Sequence, residues 1–233
     1  MFSFKNLTAI GGAGVNQIKL KELLSLRNEI GQSNFIKTMF PPVEIGSITL
    51  VDQIVLLALA QLCQPKVIVE VGTYLGFTAS LLAMNTSAKI FSIDLPQSAE
   101  IDNLSVEQNS ILVDGNENDN FLRKKQASDG ETYILELRDD ERGKITLIKK
   151  DSTALDFVEE FKGAEFVFID GGHERSIVEK DTENARSIVT EGVIVWHDYG
   201  SGIHSDVTAF LDSETERKIF HVQGSLCAFE IVG

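Results

Sequence analysis

Residues 67–80 read Val-Ile-Val-Glu-Val-Gly-Thr-Tyr-Leu-Gly-Phe-Thr-Ala-Ser, and this stretch decides the fold. The β-branched run over 67–71, broken only by Glu70, predicts a strand buried on both faces, as in a parallel sheet. Gly72 and Gly76 bracket a turn, and a helix begins near Thr78. A strand, a glycine turn and a helix N-terminus together aim backbone N–H groups at a ligand. The glycines let the backbone approach that ligand closely. An acid just behind the turn disfavours a phosphate. It favours a ligand with a cationic amine and hydroxyls.

The 233 residues suit one α/β domain, and 43% hydrophobic residues supply a large core. With 35 acids against 21 bases the net charge is −14. That argues against a broad nucleic-acid or anionic-membrane surface, which needs clustered Lys and Arg. No apolar run reaches the roughly 20 residues of a membrane-spanning helix. The first residues lack the basic segment and apolar core of a leader, so a cytoplasmic protein is expected. Cys63 and Cys227 stand in apolar surroundings and read as two buried free thiols.

Outward from the central stretch, residues 1–14 read as a loose arm and 17–30 as an amphipathic helix stopped by Gly31. Pro41 and Pro42 break the chain, and 48–63 form a strongly apolar helix. Residues 1–65 are thus a helical lead-in, not a separate domain. Downstream, strands are expected over 88–93, 145–148, 164–169 and 193–196. The segments 218–222 and 226–232, joined by Gln223-Gly224-Ser225, form a closing antiparallel hairpin. Residues 96–144 are too long for a simple crossover. They are either a solvated excursion or a lid that selects substrate. Ser152 is a plausible N-cap for a helix over 153–161, and Asp151 or Ser152 also stands where a base edge is read.

The functional argument is topological. Glu70-Val71-Gly72, Asp94, Asp151, Asp170 and His197-Asp198 each fall at or near the carboxyl end of a predicted parallel strand, where open α/β sheets bind ligands. Asp94, ending the second strand of the core, suits ribose hydroxyls. The Gly-Thr-Tyr-Leu-Gly turn departs from Gly-x-Gly-x-x-Gly, which opposes the rival reading as a nicotinamide or flavin oxidoreductase. A P-loop and a Gly-x-Ser-x-Gly elbow are both absent from the sequence. A second rival is a non-catalytic protein that keeps the cofactor fold.

Val-Glu-Val-Gly-Thr-Tyr-Leu-Gly with Asp94 resembles the first two motifs of class I S-adenosylmethionine-dependent methyltransferases. Phe-Ile-Asp-Gly-Gly-His-Glu (168–174) and Glu-Gly-Val-Ile-Val-Trp-His-Asp-Tyr (191–199) are similar to small-molecule O-methyltransferases of the macrocin and cephalosporin-hydroxylase-like type. The resemblance covers roughly 45–95 and 145–232. It implies an α/β, Rossmann-like three-layer sandwich whose mostly parallel seven-stranded sheet ends in an antiparallel strand. It implies S-adenosylmethionine as cofactor. Gly72 and Gly76, with Thr73, Tyr74 and Thr78 around them, would pass its methionine part, Glu70 its amine side, Asp94 the ribose, and Asp151-Ser152 the adenine. Asp170 borders both cofactor and acceptor.

Methyl transfer from a sulfonium is an in-line displacement, and a hydroxyl acceptor must lose its proton to a base or be acidified by a divalent cation. The resemblance carries Asp170 and Asp198 over as candidate ligands of Mg²⁺, with His197 beside them where an acid is common. Gly172 also departs from relatives that carry a second acid there. His173 and His197 are the candidate bases, since imidazole titrates near neutrality. His173 is preferred. It also reads as a helix-entry residue bonded to backbone, and His197 as a partner of Asp170. The acceptor is expected to be a small hydroxylated metabolite, a sugar or phenolic group. The apolar helix 48–63 and the arm are candidate surfaces for a homodimer.

Overall fold

The computed structural model describes residues 11–41, 46–98 and 100–233. Most of the expected arm over 1–14, and Pro42, lie outside these residues. Eight strands form one sheet: β1 (Gly14–Lys19), β2 (Val67–Val71), β3 (Lys89–Asp94), β4 (Ile145–Lys149), β5 (Phe166–Ile169), β6 (Gly192–Trp196), β7 (Lys218–Gln223) and β8 (Ala228–Val232). Their order is β1-β7-β8-β6-β5-β2-β3-β4. Only β8 runs against its neighbours, β6 and β7; every other pairing is parallel.

Strand alternation sorts the core into two layers. Ile68, Ile90, Phe166, Phe168 and Val195 face one side, packed by helices α1 (Leu20–Glu29), α2 (Leu50–Cys63) and α3 (Phe77–Asn85). Val69, Val71, Ile93, Val167, Ile169 and Trp196 face the other. After α4 (Gly115–Asp129), helices α5 (Arg175–Ile188) and α6 (Ser205–Ser213) cover that second side. This is the expected three-layer α/β sandwich.

The sheet has one strand more than expected, and it comes from the lead-in. Residues 17–19, expected at the start of a helix, are extended and pair with β7 from Gly14 to Lys19. Val15 and Ile18 differ in parity, so an extended chain sends one to each layer: Ile18 is buried beside α2, and Val15 packs on the opposite cluster. A lone strand cannot be stable by itself, so local periodicity favoured the helix; the open edge of β7 decided otherwise. The helix proper begins at Leu20.

The apolar helix 48–63 is present as α2. Thr49 caps it by accepting from the Asp52 N–H at 3.3 Å and donating its hydroxyl to Asp52 Oδ2 at 2.6 Å. Both cysteines are free; Cys227 is buried and Cys63 half-buried. No helix of the described residues is long and apolar enough to cross a membrane.

Candidate active site

The carboxyl ends of β2, β3, β5 and β6 lie side by side above the sheet and border a cavity of about 610 Å³. That volume is in the range of small-molecule sites. Gly72, Asp94, Ser152, Asp170, His197 and Asp198 line it from the sheet side. Helix α4 contributes Asn118, Asp119 and Arg123 to the wall. The long excursion therefore furnishes part of the site itself.

At one end stands the glycine turn. Gly72 has φ +99°, and a Cβ there would lie 2.0 Å from the carbonyl oxygen of Asp170. Gly76 has φ +80°, and its Cβ would meet Ile134 at 2.5 Å. Both glycines are thus dictated by protein neighbours as well as by φ. Tyr74 follows in the left-handed region at φ +49°. Its N–H donates to Asp94 Oδ2 at 3.0 Å, and Leu95 N–H donates to Oδ1 at 2.9 Å. Burial pushes the Asp94 carboxyl upward against the pull of Lys149 3.7 Å away.

Glu70 lies under this turn. It shares parity with Ile68, so its side chain enters the α3 layer, opposite Ser92 in register. It is fully buried and accepts a short hydrogen bond from the Ser92 hydroxyl, which is 2.6 Å from Thr73 Oγ1. Burial pushes the Glu70 carboxyl up to about 8, with Asp170 and Asp94 adding to the rise against the Ser92 bond.

At the other end seven ionisable groups converge. His197 Nδ1 is 3.2 Å from Asp170 Oδ1 and 3.2 Å from Asp198 Oδ2. His197 Nε2 faces Asp52 Oδ2 at 3.5 Å. His173 Nε2 is 3.0 Å from Asp198 Oδ2, and its Nδ1 is 2.8 Å from Asp119 Oδ1. The His204 ring stacks on His173 at 3.6 Å between centroids. Asp198 adopts φ +63°, a conformation unusual for a residue with a side chain, and so turns its carboxylate between both imidazoles.

Charge follows from this packing. Burial alone would lower the pKa of His197, but Asp170 and Asp198 outweigh it and raise it well above the ordinary value. For His173 burial is likewise outweighed, by Asp119 and Asp198, and the value rises to about 10. Burial would raise Asp198; His197 and His173 reverse that and hold it well below the usual range. His204 is lowered by burial and by the neighbouring His173 charge.

Among the described residues, two triplets bring ligand-type atoms within 4.8 Å of one another: Asp170, His197, Asp198 and Asp119, His173, His204. The second does not fit an ion as it stands. Its two rings are stacked only 18° from parallel, so no point close to both lies in both ring planes. The first fits: its nitrogen-to-oxygen spacings of 3.2 Å match neighbouring ligand atoms around an ion with bonds of about 2.1–2.3 Å.

A sequence profile for the family described as methyltransferase domain matches residues 69–199, more than half the chain. The chain belongs to the methyltransferase-domain family. The resemblance drawn from the motifs at 67–76, 168–174 and 191–199 is thereby borne out at the level of family. No curated protein sequence matches this methyltransferase. Among solved structures it is similar to the O-methyltransferase TomG from Streptomyces achromogenes, involved in tomaymycin synthesis and solved with SAM (TM-score 0.53, 14% identity, 93% of this chain and 100% of that one). It is also similar to cofactor-bound Rv0187 from MTB (TM-score 0.54, 14% identity, 91% and 88% covered). The calicheamicin methyltransferase CalS11 is a third (TM-score 0.50, 14% identity, 78% and 79% covered). These likenesses are of fold.

In the methyltransferase, Gly72, Tyr74, Asp94, Ser152, Asp170, His173, His197 and Asp198 all meet on the cavity wall. Glu70, Thr73, Gly76, Thr78 and Asp151 are not part of that wall; Glu70, Thr73 and Thr78 are buried, and Gly76 faces Ile134. Asp151 is exposed and its Oδ1 accepts from the Thr153 N–H at 2.9 Å. The cap expected of Ser152 thus belongs to Asp151, while Asp156 caps the helical turn Phe157–Glu160, much shorter than the helix expected over 153–161. Trp196 and Tyr199 are held away from the cavity by Thr182 and Asp212. Sequence reasoning missed Asp52, Asp119 and His204. A carboxylate inside the apolar run 50–60 was a signal for Asp52. Nothing local distinguished Asp119 from the other acids around it.

Proposed function

We propose that this methyltransferase uses S-adenosylmethionine to methylate a hydroxyl of a small metabolite. One observation carries the reading: a single cavity joins the Asp94 turn to the Asp170–His173–His197–Asp198 cluster. The residues present fit the cofactor. Asp94 spends one lone pair per oxygen on backbone N–H groups and keeps others for ribose hydroxyls. Asp94, Asp119, Asp170 and Asp198 on the walls favour a sulfonium cation. Bound there, the cofactor supplies the methyl group and a neutral thioether leaving group.

The chain's own part is orientation and proton control. The glycine turn and Asp94 set the position of one reactant, and α4 walls the other against water. His173, bridged between Asp119 and Asp198, is held as a cation at neutral pH. It becomes a base only after one ring nitrogen gives up its proton; Nε2 faces Asp198 and Nδ1 faces Asp119. A divalent ion held by Asp170, His197 and Asp198 would acidify the acceptor hydroxyl and engage Asp198, weakening one of the two carboxylates that keep His173 protonated.

Calorimetric titration with S-adenosylhomocysteine tests the reading. Micromolar binding that Asp94→Ala weakens by roughly 100-fold is the expected result. No binding at millimolar ligand would overturn it.

A further inference from the structure

We infer that the acid and imidazole end of the cavity selects a divalent first-row ion that accepts an imidazole nitrogen, of the Mn²⁺ to Zn²⁺ series, over Mg²⁺, with Asp52 as the carboxylate that orients His197. This deepens the ion reading above and does not depend on the cofactor half of the site.

The argument starts at the two nitrogens of His197. Nδ1 stands 3.2 Å from an oxygen of Asp170 and 3.2 Å from an oxygen of Asp198. Without a proton on Nδ1, three atoms that present lone pairs face one another there. A positive charge must stand among them, and one proton on Nδ1 points well at only one carboxylate at a time. A cation serves all three. Nε2 is buried, makes no hydrogen bond by strict geometry, and lies 3.5 Å from Asp52 Oδ2.

Asp52 is 1% exposed and cannot swing away. Its Oδ1 accepts from Leu226 N–H at 2.8 Å, and its Oδ2 accepts from the Thr49 hydroxyl at 2.6 Å. A fixed carboxylate opposite Nε2 favours the tautomer with its proton on Nε2, which leaves the Nδ1 lone pair aimed at Asp170 and Asp198. Carboxylate, imidazole and metal in line are a recurrent arrangement in metal sites. Asp52 is on α2, outside the matched residues 69–199 and outside the cavity lining.

The donor set decides the ion. Mg²⁺ takes oxygen ligands and keeps much of its water; imidazole suits later first-row ions. With His197 in place of a third acid, the site has two anionic ligands and one nitrogen.

Preference alone is a weak test, since mixed donor sites generally favour later ions. The decisive readout is a nitrogen bonded to the metal. Chelator-treated protein is titrated with MgCl₂, MnCl₂ and ZnCl₂ by calorimetry. The Mn²⁺ form is examined by electron spin-echo envelope modulation, with natural histidine and with ¹⁵N-histidine. One Mn²⁺ per chain is expected, bound about 100-fold tighter than Mg²⁺. Its ¹⁴N modulation should change to ¹⁵N in the labelled protein. His197→Asp should lose the modulation and bind Mg²⁺ more tightly. Asp52→Asn should keep the modulation and weaken Zn²⁺ by about 10- to 100-fold. Mg²⁺ binding as tight as Mn²⁺, Mn²⁺ without nitrogen coupling, or no ion bound at all would each overturn the inference. The labelling arm needs no variant, so a misfolded His197→Asp leaves the test intact. Failure of S-adenosylhomocysteine binding in the same preparation would count against the methyltransferase reading and not against the ion site.

Discussion

At one end of the cavity, Gly72, Tyr74 and Asp94 come from two neighbouring strands within 23 residues of chain, and backbone N–H groups tie them together. At the other end, Asp52, Asp119, Asp170, His173, His197 and Asp198 come from widely separated segments and are tied by side chains alone. The first end is a local backbone structure that a strand and a turn impose. The second exists only when α2, α4 and the ends of β5 and β6 are all in place. The contrast predicts that substitutions at the turn act on folding and cofactor affinity, whereas those in the cluster act on ion and proton chemistry.

The largest effect is expected at Gly72. An added methyl meets the Asp170 backbone at 2.0 Å in a conformation that side chains rarely adopt, so Gly72→Ala should cost about 5 kcal/mol, comparable to the whole stability of many domains. Urea unfolding should show little or no cooperative transition; a normal transition would mean that β2 and β5 part easily and that the turn is not a rigid end.

Glu70 offers a pH test of the layer beneath the turn. Its value in the fold is about 8, above the ordinary carboxylate range. The native state therefore binds a proton that the unfolded chain has lost, and stability falls as pH rises from about 4.5 to about 8. Relative to Glu70→Gln, the wild type should lose on the order of 4 kcal/mol over that window. A pH-independent difference between the two denaturation midpoints would show that Glu70 is ionised in the fold.

Asp94→Ala removes a charged acceptor for two ligand hydroxyls. A loss of about 3 kcal/mol, roughly 100-fold in S-adenosylhomocysteine affinity, is expected. A change below five-fold would place the ribose elsewhere. The smallest effect belongs to Asp151. Its exposed side chain caps a short turn, so Asp151→Ala should cost no more than about 1 kcal/mol and leave S-adenosylhomocysteine affinity within two-fold. A large loss of affinity would bring Asp151 back to the adenine, where the motif placed it.

Most of the sheet was legible. The strand runs at 67–71, 89–94, 166–169 and 192–196 are β-branched or aromatic and bounded by turn residues, and each appears within a residue or two of its expected limits. The edge strand Gly14–Lys19 was not legible, because its pairing partner lies about 200 residues away in the chain. Helix α4 was not legible either; the acids and amides of 114–120 carry no clear apolar stripe, and the helix is stabilised by its Asp114 cap and its seat on the cavity.

By itself the sequence determined which layer each strand residue enters and which residues end the strands, since parity, β-branching and glycine turns act over a few neighbours. It thereby determined that acids and imidazoles would gather at one rim, and from the motifs at 67–76, 168–174 and 191–199 the family. Tertiary structure alone decided that Asp119 reaches His173 and that Asp52 stands behind His197. Those are distances between groups 50 to 150 residues apart. Such distances depend on how helices are laid over the sheet, which no local preference of the chain encodes.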